Sequence, residues 1–393
     1  MNSLLLALAI TAPCHAGLAG PWRAALSLAG GELRFSLQLA DSSGQLTGRI
    51  CNAGSCGPLS GVRQAGDSVR LEIADYAASV AATCSDDTLA GFYSNVGNRG
   101  PRVIPFHATR GTWDPARVPA RLAGRWDATF VSGERRSPRV LLFEDGSHGL
   151  QGTVISNTGD YGTFQGELEG DSVAMSHFDG SFVYLLTAHL EGDTLRGTFH
   201  AGLSTQTPFT AVRSTGRPHL RPPTSLTQAD TTAPFRFAFP DVNGNLVRND
   251  DARFRGKVVL VDIFGTWCPT CQEAAPELVR LWHEYHGRGL EIVGIAYEVS
   301  GDTGVDAALL RRYRARHQIP FPLLLGGTNT VEATAATLPQ LTGFTSYPTT
   351  IFLGRDGRVR RVHAGFYGAS TGPMHQQQVA SFRAYIEQLL EEP

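Results

Sequence analysis

Apolar and polar positions divide this chain into two kinds of pattern. Through residues 17–216, short stretches such as LRFSLQL, RVLLF, SVAMSHF and FVYLLTAHL alternate apolar and polar residues. Gly, Asp, Ser and Asn turns separate them at intervals typical of a sandwich or small barrel. From Phe235 the pattern changes. FRFAF and NLVR flank a Gly244 turn and predict a hairpin. Val258, Val259, Leu260, Val261, Ile263 and Phe264 form an almost continuous apolar run, as expected of a strand covered on both faces. Over 272–286, Ala275, Leu278, Leu281, Trp282 and Tyr285 recur at helical spacing. A second buried strand (290–298), a basic helix (305–317), a short strand (321–325) and a short helix (334–341) follow. The strand IFL, a turn at Arg355-Asp356-Gly357, the strand RVRRVHAGF and a closing helix (376–390) complete an α/β unit.

The β half repeats itself. Leu18-Ala19-Gly20-Pro21-Trp22 recurs as Leu122-Ala123-Gly124-Arg125-Trp126, and Gly66-Asp67-Ser68-Val69 as Gly170-Asp171-Ser172-Val173. Asp87-Thr88-Leu89 recurs as Asp193-Thr194-Leu195, and Phe106-His107-Ala108-Thr109-Arg110 more loosely as Phe209-Thr210-Ala211-Val212-Arg213. The near-constant offset predicts a duplicated all-β module, copy 1 over 17–115 and copy 2 over 116–213. Residues 214–233, rich in Pro, Ser and Thr, read as a semi-rigid linker to a unit spanning 234–393. The modules carry no His, Asp or Glu cluster at ligand spacing, which favours a spacer or protein-contact role over a barrel that holds a ligand.

Composition narrows the function. A net charge of −2, with acids and bases interspersed, argues against nucleic acid and against an anionic membrane surface. Residues 1–16 read as a secretory leader. Their apolar core runs from Leu4 to Ile10, and Cys14-His15-Ala16 supplies small residues for cleavage. Lipid attachment at Cys14 ranks second, because Pro13 fits that motif poorly. No later run is long enough to span a membrane. An exported chain meets an oxidising compartment, so its location is read as periplasm or cell envelope.

Cys51, Cys56 and Cys84 occur in the first module only; by offset Cys51 and Cys56 correspond to Ile155 and Asp160. CNAGSC reads as a hairpin whose facing cysteines form a disulfide. The odd count leaves Cys84 as a spare, buried thiol.

The chemistry converges on Trp267-Cys268-Pro269-Thr270-Cys271, between the buried strand and the helix. The positive end of the helix dipole favours a thiolate on the first cysteine, and the second, one turn in, is placed to resolve a mixed disulfide. The competing reading is half a zinc site. No second CxxC or HxxxH follows at zinc spacing, and neither metal nor cofactor is expected.

Residues 234–393 resemble the thioredoxin fold, and more closely the TlpA-like (ResA-like) disulfide reductases of the bacterial envelope. Asp262, six residues before Cys268, matches the buried acid of thioredoxins. Ser346-Tyr347-Pro348-Thr349-Thr350 matches the loop whose cis-proline packs beside the CxxC. The piece 305–325 matches the insertion that separates TlpA-like proteins from plain thioredoxin, and 365–375 resembles an envelope subgroup with HxGFxGxxTG. The resemblance implies Cys268 as attacking thiol, Cys271 as resolving thiol and Trp267 as a cover over the sulfurs. It implies Pro348 as the residue that leaves the Tyr347 backbone free for substrate. Asp262 is either a proton acceptor for Cys271 through water or a polar group satisfied by Lys257 or backbone. His283, His286 and His317 are expected on helix surfaces. Protein dithiols or disulfides would be the substrates, and an upstream membrane or periplasmic thiol the reductant.

Two departures qualify the resemblance. Pro269 follows the first cysteine, where TlpA-like motifs place proline before the second. The glutamate that ResA-like proteins carry three residues after the second cysteine is Ala274 here, with Glu273 adjacent. Two rival functions remain. A thiol peroxidase of the same fold would have a Thr or Ser where Gly265 stands and a proline where Val261 stands. A non-catalytic envelope binding protein would use the duplicated β modules to bind a ligand or partner.

Overall fold

The computed structural model describes residues 17–97, 100–114 and 116–392. The expected leader and Cys14 lie outside the described residues.

The β half folds as two up-and-down barrels rather than sandwiches. In the first, nine strands run as a meander whose last strand, Gly100–Arg110, returns to pair with the first, Gly20–Leu28. Its two sheet edges meet across residues 58–61, where Leu59 N donates to Gly48 O (2.8 Å) and Ser60 N to Glu72 O (2.7 Å). In the second, the strands from Gly124–Ser132 to Thr205–Arg213 close completely, because Arg135–Gly146 pairs with Gly149–Ser156.

The residues paired by the sequence repeat occupy the same places. Trp22 and Trp126 are both fully buried, and their indole N–H groups donate to Leu18 O (3.0 Å) and Leu122 O (2.8 Å). Arg110 covers the Trp22 ring at 4.5 Å and Arg213 covers Trp126 at 4.7 Å. Each arginine also donates to a carbonyl of the preceding loop, Ala19 O and Ala123 O, both at 2.8 Å. The cation over the ring ties the first strand to the last in each barrel.

The barrels pack on each other through Phe178, which leaves its own module for the core of the first. It lies 4.7 Å from the Phe35 ring and edge-on to Tyr93 at 5.0 Å. Asn52 pairs with the Phe178 backbone in both directions, at 2.9 and 3.0 Å.

Cys51 and Cys56 face each other in the ladder and are disulfide-bonded, as their spacing predicts. Cys84 corrects the expectation. It is disulfide-bonded too, not a spare thiol. The parity argument counted only the cysteines inside the module.

Residues 214–233 are pinned along much of their length rather than free-standing. His219 bonds Ala128 O (2.9 Å), Arg221 N donates to Asn157 Oδ1 (2.9 Å), and Gln228–Ala229 pairs with Leu341–Thr342.

In the α/β unit a five-stranded sheet runs in the order Leu323–Thr328, Leu290–Glu298, Val258–Phe264, Thr349–Leu353, Val359–Ala364. The first three strands are parallel and the last two antiparallel. Four helices cover it: α1 (Pro269–Tyr285), α2 (Thr303–His317), α3 (Val331–Thr337) and α4 (Pro373–Glu391). The central strand is wholly buried, and its two-residue period sorts it between two cores. Val258, Leu260 and Phe264 pack with α1, α2 and α4, whereas Val259, Val261 and Ile263 pack with Phe235, Phe237 and Tyr297. Asp262 shares the parity of the first set, so it lies on the face that carries the cysteines.

Candidate active site

Cys268 caps α1. Its extended backbone (φ −96°, ψ 113°) ends the loop, and its sulfur accepts from Cys271 N at 3.3 Å. That N–H is one of the unpaired donors of a helix start, so the first turn faces the sulfur with positive dipole. The Tyr347–Pro348 peptide is cis, and the Tyr347 carbonyl faces Cys268 Sγ at 3.7 Å. The sequence-separated motifs CPTC and YPTT therefore meet. Both cysteines are unpaired and buried, Cys268 at 5 % exposure and Cys271 at 1 %.

Burial pushes the Cys271 thiol well above its usual range, with the Cys268 sulfur and the Asp262 charge adding to the effect. Asp262 is pushed up to about 7, because burial outweighs the hydrogen bond from the Thr350 side chain. That partner is neither Lys257 nor backbone, the two contacts offered by one of the alternative sequence readings. Asp262 Oδ1 has no hydrogen-bond partner among the described residues, so one acceptor is left facing the interior beneath the cysteines.

Trp267 is fixed rather than free. Its indole N–H donates to Tyr297 O (2.8 Å), and the ring stands edge-on to Tyr347 at 5.5 Å. Gly265 makes room for it, since a Cβ there would collide with the indole. Glu298 secures the same loop by accepting from Thr266 N and Thr266 Oγ1, both at 2.8 Å. His317 departs from its expected surface role. Its ring bonds Gln272 Oε1 at 2.6 Å, and burial pushes it down to about 4, so it is neutral at pH 7.

The β half completes the site. The loop 365–371 of the α/β unit docks on the second barrel, where Gly159 bridges Phe366 and Phe366 N donates to Thr158 O (3.2 Å). The backbones approach so closely that a Cβ on Gly365 would collide with the Thr158 carbonyl. Asp160 accepts from Gly368 N (2.6 Å) and from the Ser370 hydroxyl. Across the site, Arg316 of α2 pairs with Asp75 of the first barrel. Glu273 lies against Gly368. Its side chain keeps an exposed part that borders the cleft, while burial of the carboxyl and then the Asp160 charge push it up to about 8. A cleft of about 410 Å³ stands in front of Cys268, walled by both barrels, the start of α1 and Tyr347.

Sequence reasoning proposed Cys268, Cys271, Trp267, Asp262 and Pro348, and the structure brings all five together. It gave no role to Glu298, Asp160 or Asp75, and named Glu273 only as the neighbour of Ala274. The length of the 365–375 loop was the one visible signal for the interface, and nothing in the β half pointed at a thiol so far along the chain.

A strand–CxxC–helix unit beside a cis-proline loop defines a thioredoxin-like redox domain. A family model described as the AhpC/TSA family matches residues 230–362. The thiol-disulfide oxidoreductase ResA of Halalkalibacterium halodurans is 27% identical over 164 residues, 42% of this chain and 80% of that protein. The thiol:disulfide interchange protein DsbE of Pseudomonas aeruginosa is 30% identical over 172 residues, 44% of this chain and 83% of that protein. A crystal structure of a thioredoxin-family thiol:disulfide interchange protein from Chlorobium tepidum is 24% identical, covering 42% of this chain and 99% of its own, with a TM-score of 0.32. This chain belongs to the ResA- and DsbE-type thiol-disulfide oxidoreductases, and its activity class is protein-disulfide oxidoreductase. No helix among the described residues is long and apolar enough to cross a membrane.

Proposed function

We propose that the protein is exported to the cell envelope and reduces disulfides of other proteins through Cys268 and Cys271. The meeting of Cys268 Sγ with the Tyr347–Pro348 loop, at the N-terminus of α1, carries this reading. The Cys268 thiolate attacks a client disulfide, so a Cys268–client bond forms and one client sulfur leaves as a thiolate. Cys271 then attacks Cys268 Sγ. The second client thiol leaves, and the pair is oxidised by two electrons. Cys271 must lose a proton in that step, and Asp262, on the same face with a free acceptor oxygen, takes it through water. Trp267 shields the sulfurs, and Pro348 shapes the loop whose Tyr347 backbone holds the client. An upstream membrane or periplasmic dithiol restores the reduced pair. The β modules, which we read as copies of one duplicated unit, wall the site.

The test is the reduction potential of the full chain together with insulin reduction driven by dithiothreitol. A potential near the thioredoxin end, about −270 mV, with accelerated insulin precipitation supports a reductant; a value near about −120 mV makes it an oxidant. Loss of both activities with stoichiometric peroxide consumption would favour the peroxidase instead.

A further inference from the structure

The preceding reading leaves open which disulfides can reach Cys268, and the β half bears on that question. Cys268 is only 5 % exposed, and its opening is the cleft of about 410 Å³. A folded client that docks stably covers roughly 800 Å² on each partner. The hairpin 52–58 of the first barrel and the loop 156–163 of the second stand where such a surface would have to lie. A volume in the range of about 300–1,000 Å³ instead suits a ligand of a few residues.

The walls also carry a sign. Four carboxyl groups line the cleft: Asp75 is paired with the single guanidinium of Arg316, and Glu273, raised to about 8, is mostly protonated at pH 7, so Asp160 and Asp179 set the sign. His317 is neutral. Asp179 Oδ1 is used by the Ser181 and Phe182 amides, at 2.8 and 2.7 Å, while its Oδ2 has no hydrogen-bond partner among the described residues. Its nearest basic neighbour is His177 Nε2, at 3.9 Å. Tyr76 and Tyr184 line the same cleft, the Tyr184 ring packed against Tyr161, Phe182 and Phe199.

We propose that the substrate of Cys268 is a disulfide on an extended, positively charged polypeptide segment, and that the two β modules exclude disulfides held on folded surfaces. This rests on the oxidoreductase reading above. The Cys268 thiolate attacks the segment's disulfide, the old S–S bond breaks, and the departing thiolate takes a proton from solvent. Cys271 then displaces the segment. The Cys268–Cys271 disulfide forms, the two electrons given up by the pair end on the two substrate thiols, and a dithiol that fits the cleft regenerates the pair.

The experiment uses the reduced full chain and follows oxidation of the Cys268–Cys271 pair by quenched thiol labelling. Four probes are compared: a disulfide-linked peptide flanked by lysines, the same peptide flanked by glutamates, the lysine sequence within a folded disulfide-bonded protein, and cystamine. The lysine peptide is expected to react roughly tenfold faster than the glutamate peptide at low ionic strength, with the ratio collapsing in high salt. It is also expected to react roughly tenfold faster than the folded protein. Asp179→Asn, which keeps Oδ1, should shrink the lysine-to-glutamate ratio. Equal rates for folded and peptide disulfides, or for the two peptides, overturn the proposal. Rapid reaction of cystamine with both peptides inert overturns it in favour of a small-molecule site. If no probe, cystamine included, oxidises the pair, the oxidoreductase reading itself fails.

Discussion

Two hairpins at equivalent places in the two barrels border the same cleft and are secured in different ways. In the first, Cys51 faces Cys56 and the pair is covalent. In the second, Ile155 faces Asp160, and the carboxylate is spent on Gly368 and Ser370 of the redox domain. One hairpin is closed on itself; the other is closed on the catalytic domain. A single β framework can therefore serve as a wall on one side and as a clamp on the other, with the difference resting on a few side chains. Phe178, buried in the core of the first barrel, packs the two sides against each other.

The comparison matters only if the chemistry lies where the hairpins converge. Cys268→Ser is expected to abolish insulin reduction, a loss of at least about a thousandfold. Cys271→Ser should instead retain clients as mixed disulfides that dithiothreitol releases on non-reducing gels. Adducts on the Cys268→Ser variant and none on the other would reverse the two roles.

Asp262 lies behind the cysteines, out of reach of either hairpin, and sharpens the contrast. Its folded pKa is about 7, against about 4 for a free aspartate. As pH rises from about 4 to 7 the unfolded chain loses this proton and the folded chain keeps it, so the native state is penalised over that window and fully above it. Asp262→Asn should remove the penalty. The variant gains up to about 4 kcal/mol of stability at pH 8 and nothing at pH 3, read by denaturant melts at the two values. Its resolving step should slow.

How far the sequence reached follows the same division. The redox domain was legible because its strand is apolar at every position but Asp262, its helix is amphipathic, and its two motifs are local. Alternating apolar and polar positions between regular turns made the β half legible as all-β, and facing positions in a short hairpin identified the Cys51–Cys56 pair. The clamp was not legible. Asp160 is an ordinary turn carboxylate until the 365–371 loop is laid across it. Glu273 is an ordinary helix-surface acid until the same loop and Asp160 crowd it. Long-range contacts of single polar residues leave no periodicity, and parity within one module could not account for Cys84.

Asp160→Asn tests the clamp. It keeps the size of the side chain and removes the charge from two hydrogen bonds, which is expected to weaken the docked loop by roughly 1.5–3 kcal/mol. Alkylation of Cys268 by a bulky maleimide should accelerate as the cleft loosens. The midpoint of Glu273 should fall from about 8, since the Asp160 charge is one of the causes that raise it. An unchanged alkylation rate would show that the loop is held by its backbone bridge alone. Because Asp262 and Asp160 share no partner, Asp262→Asn and Asp160→Asn should add in the double variant within about 0.5 kcal/mol.

The smallest effect belongs to the covalent hairpin. The Cys51–Cys56 bond closes a loop with a sequence separation of 5, and the chain-entropy account of so short a loop gives about 2 kcal/mol. That gain belongs to the first barrel, because among the described residues the hydrogen bonds of Gly368 and Ser370 run to Asp160 of the second. The Cys51→Ser and Cys56→Ser double variant should melt a few degrees lower and still reduce insulin at the parental rate. Its peptide selectivity should also stay unchanged, because Asn52, bonded in both directions to the Phe178 backbone, holds the base of the hairpin independently of the disulfide. A fall in redox rate without a fall in melting temperature would mean that this disulfide exchanges with the catalytic pair across the cleft they share, and the two hairpins would then differ in chemistry and not only in the way they are secured.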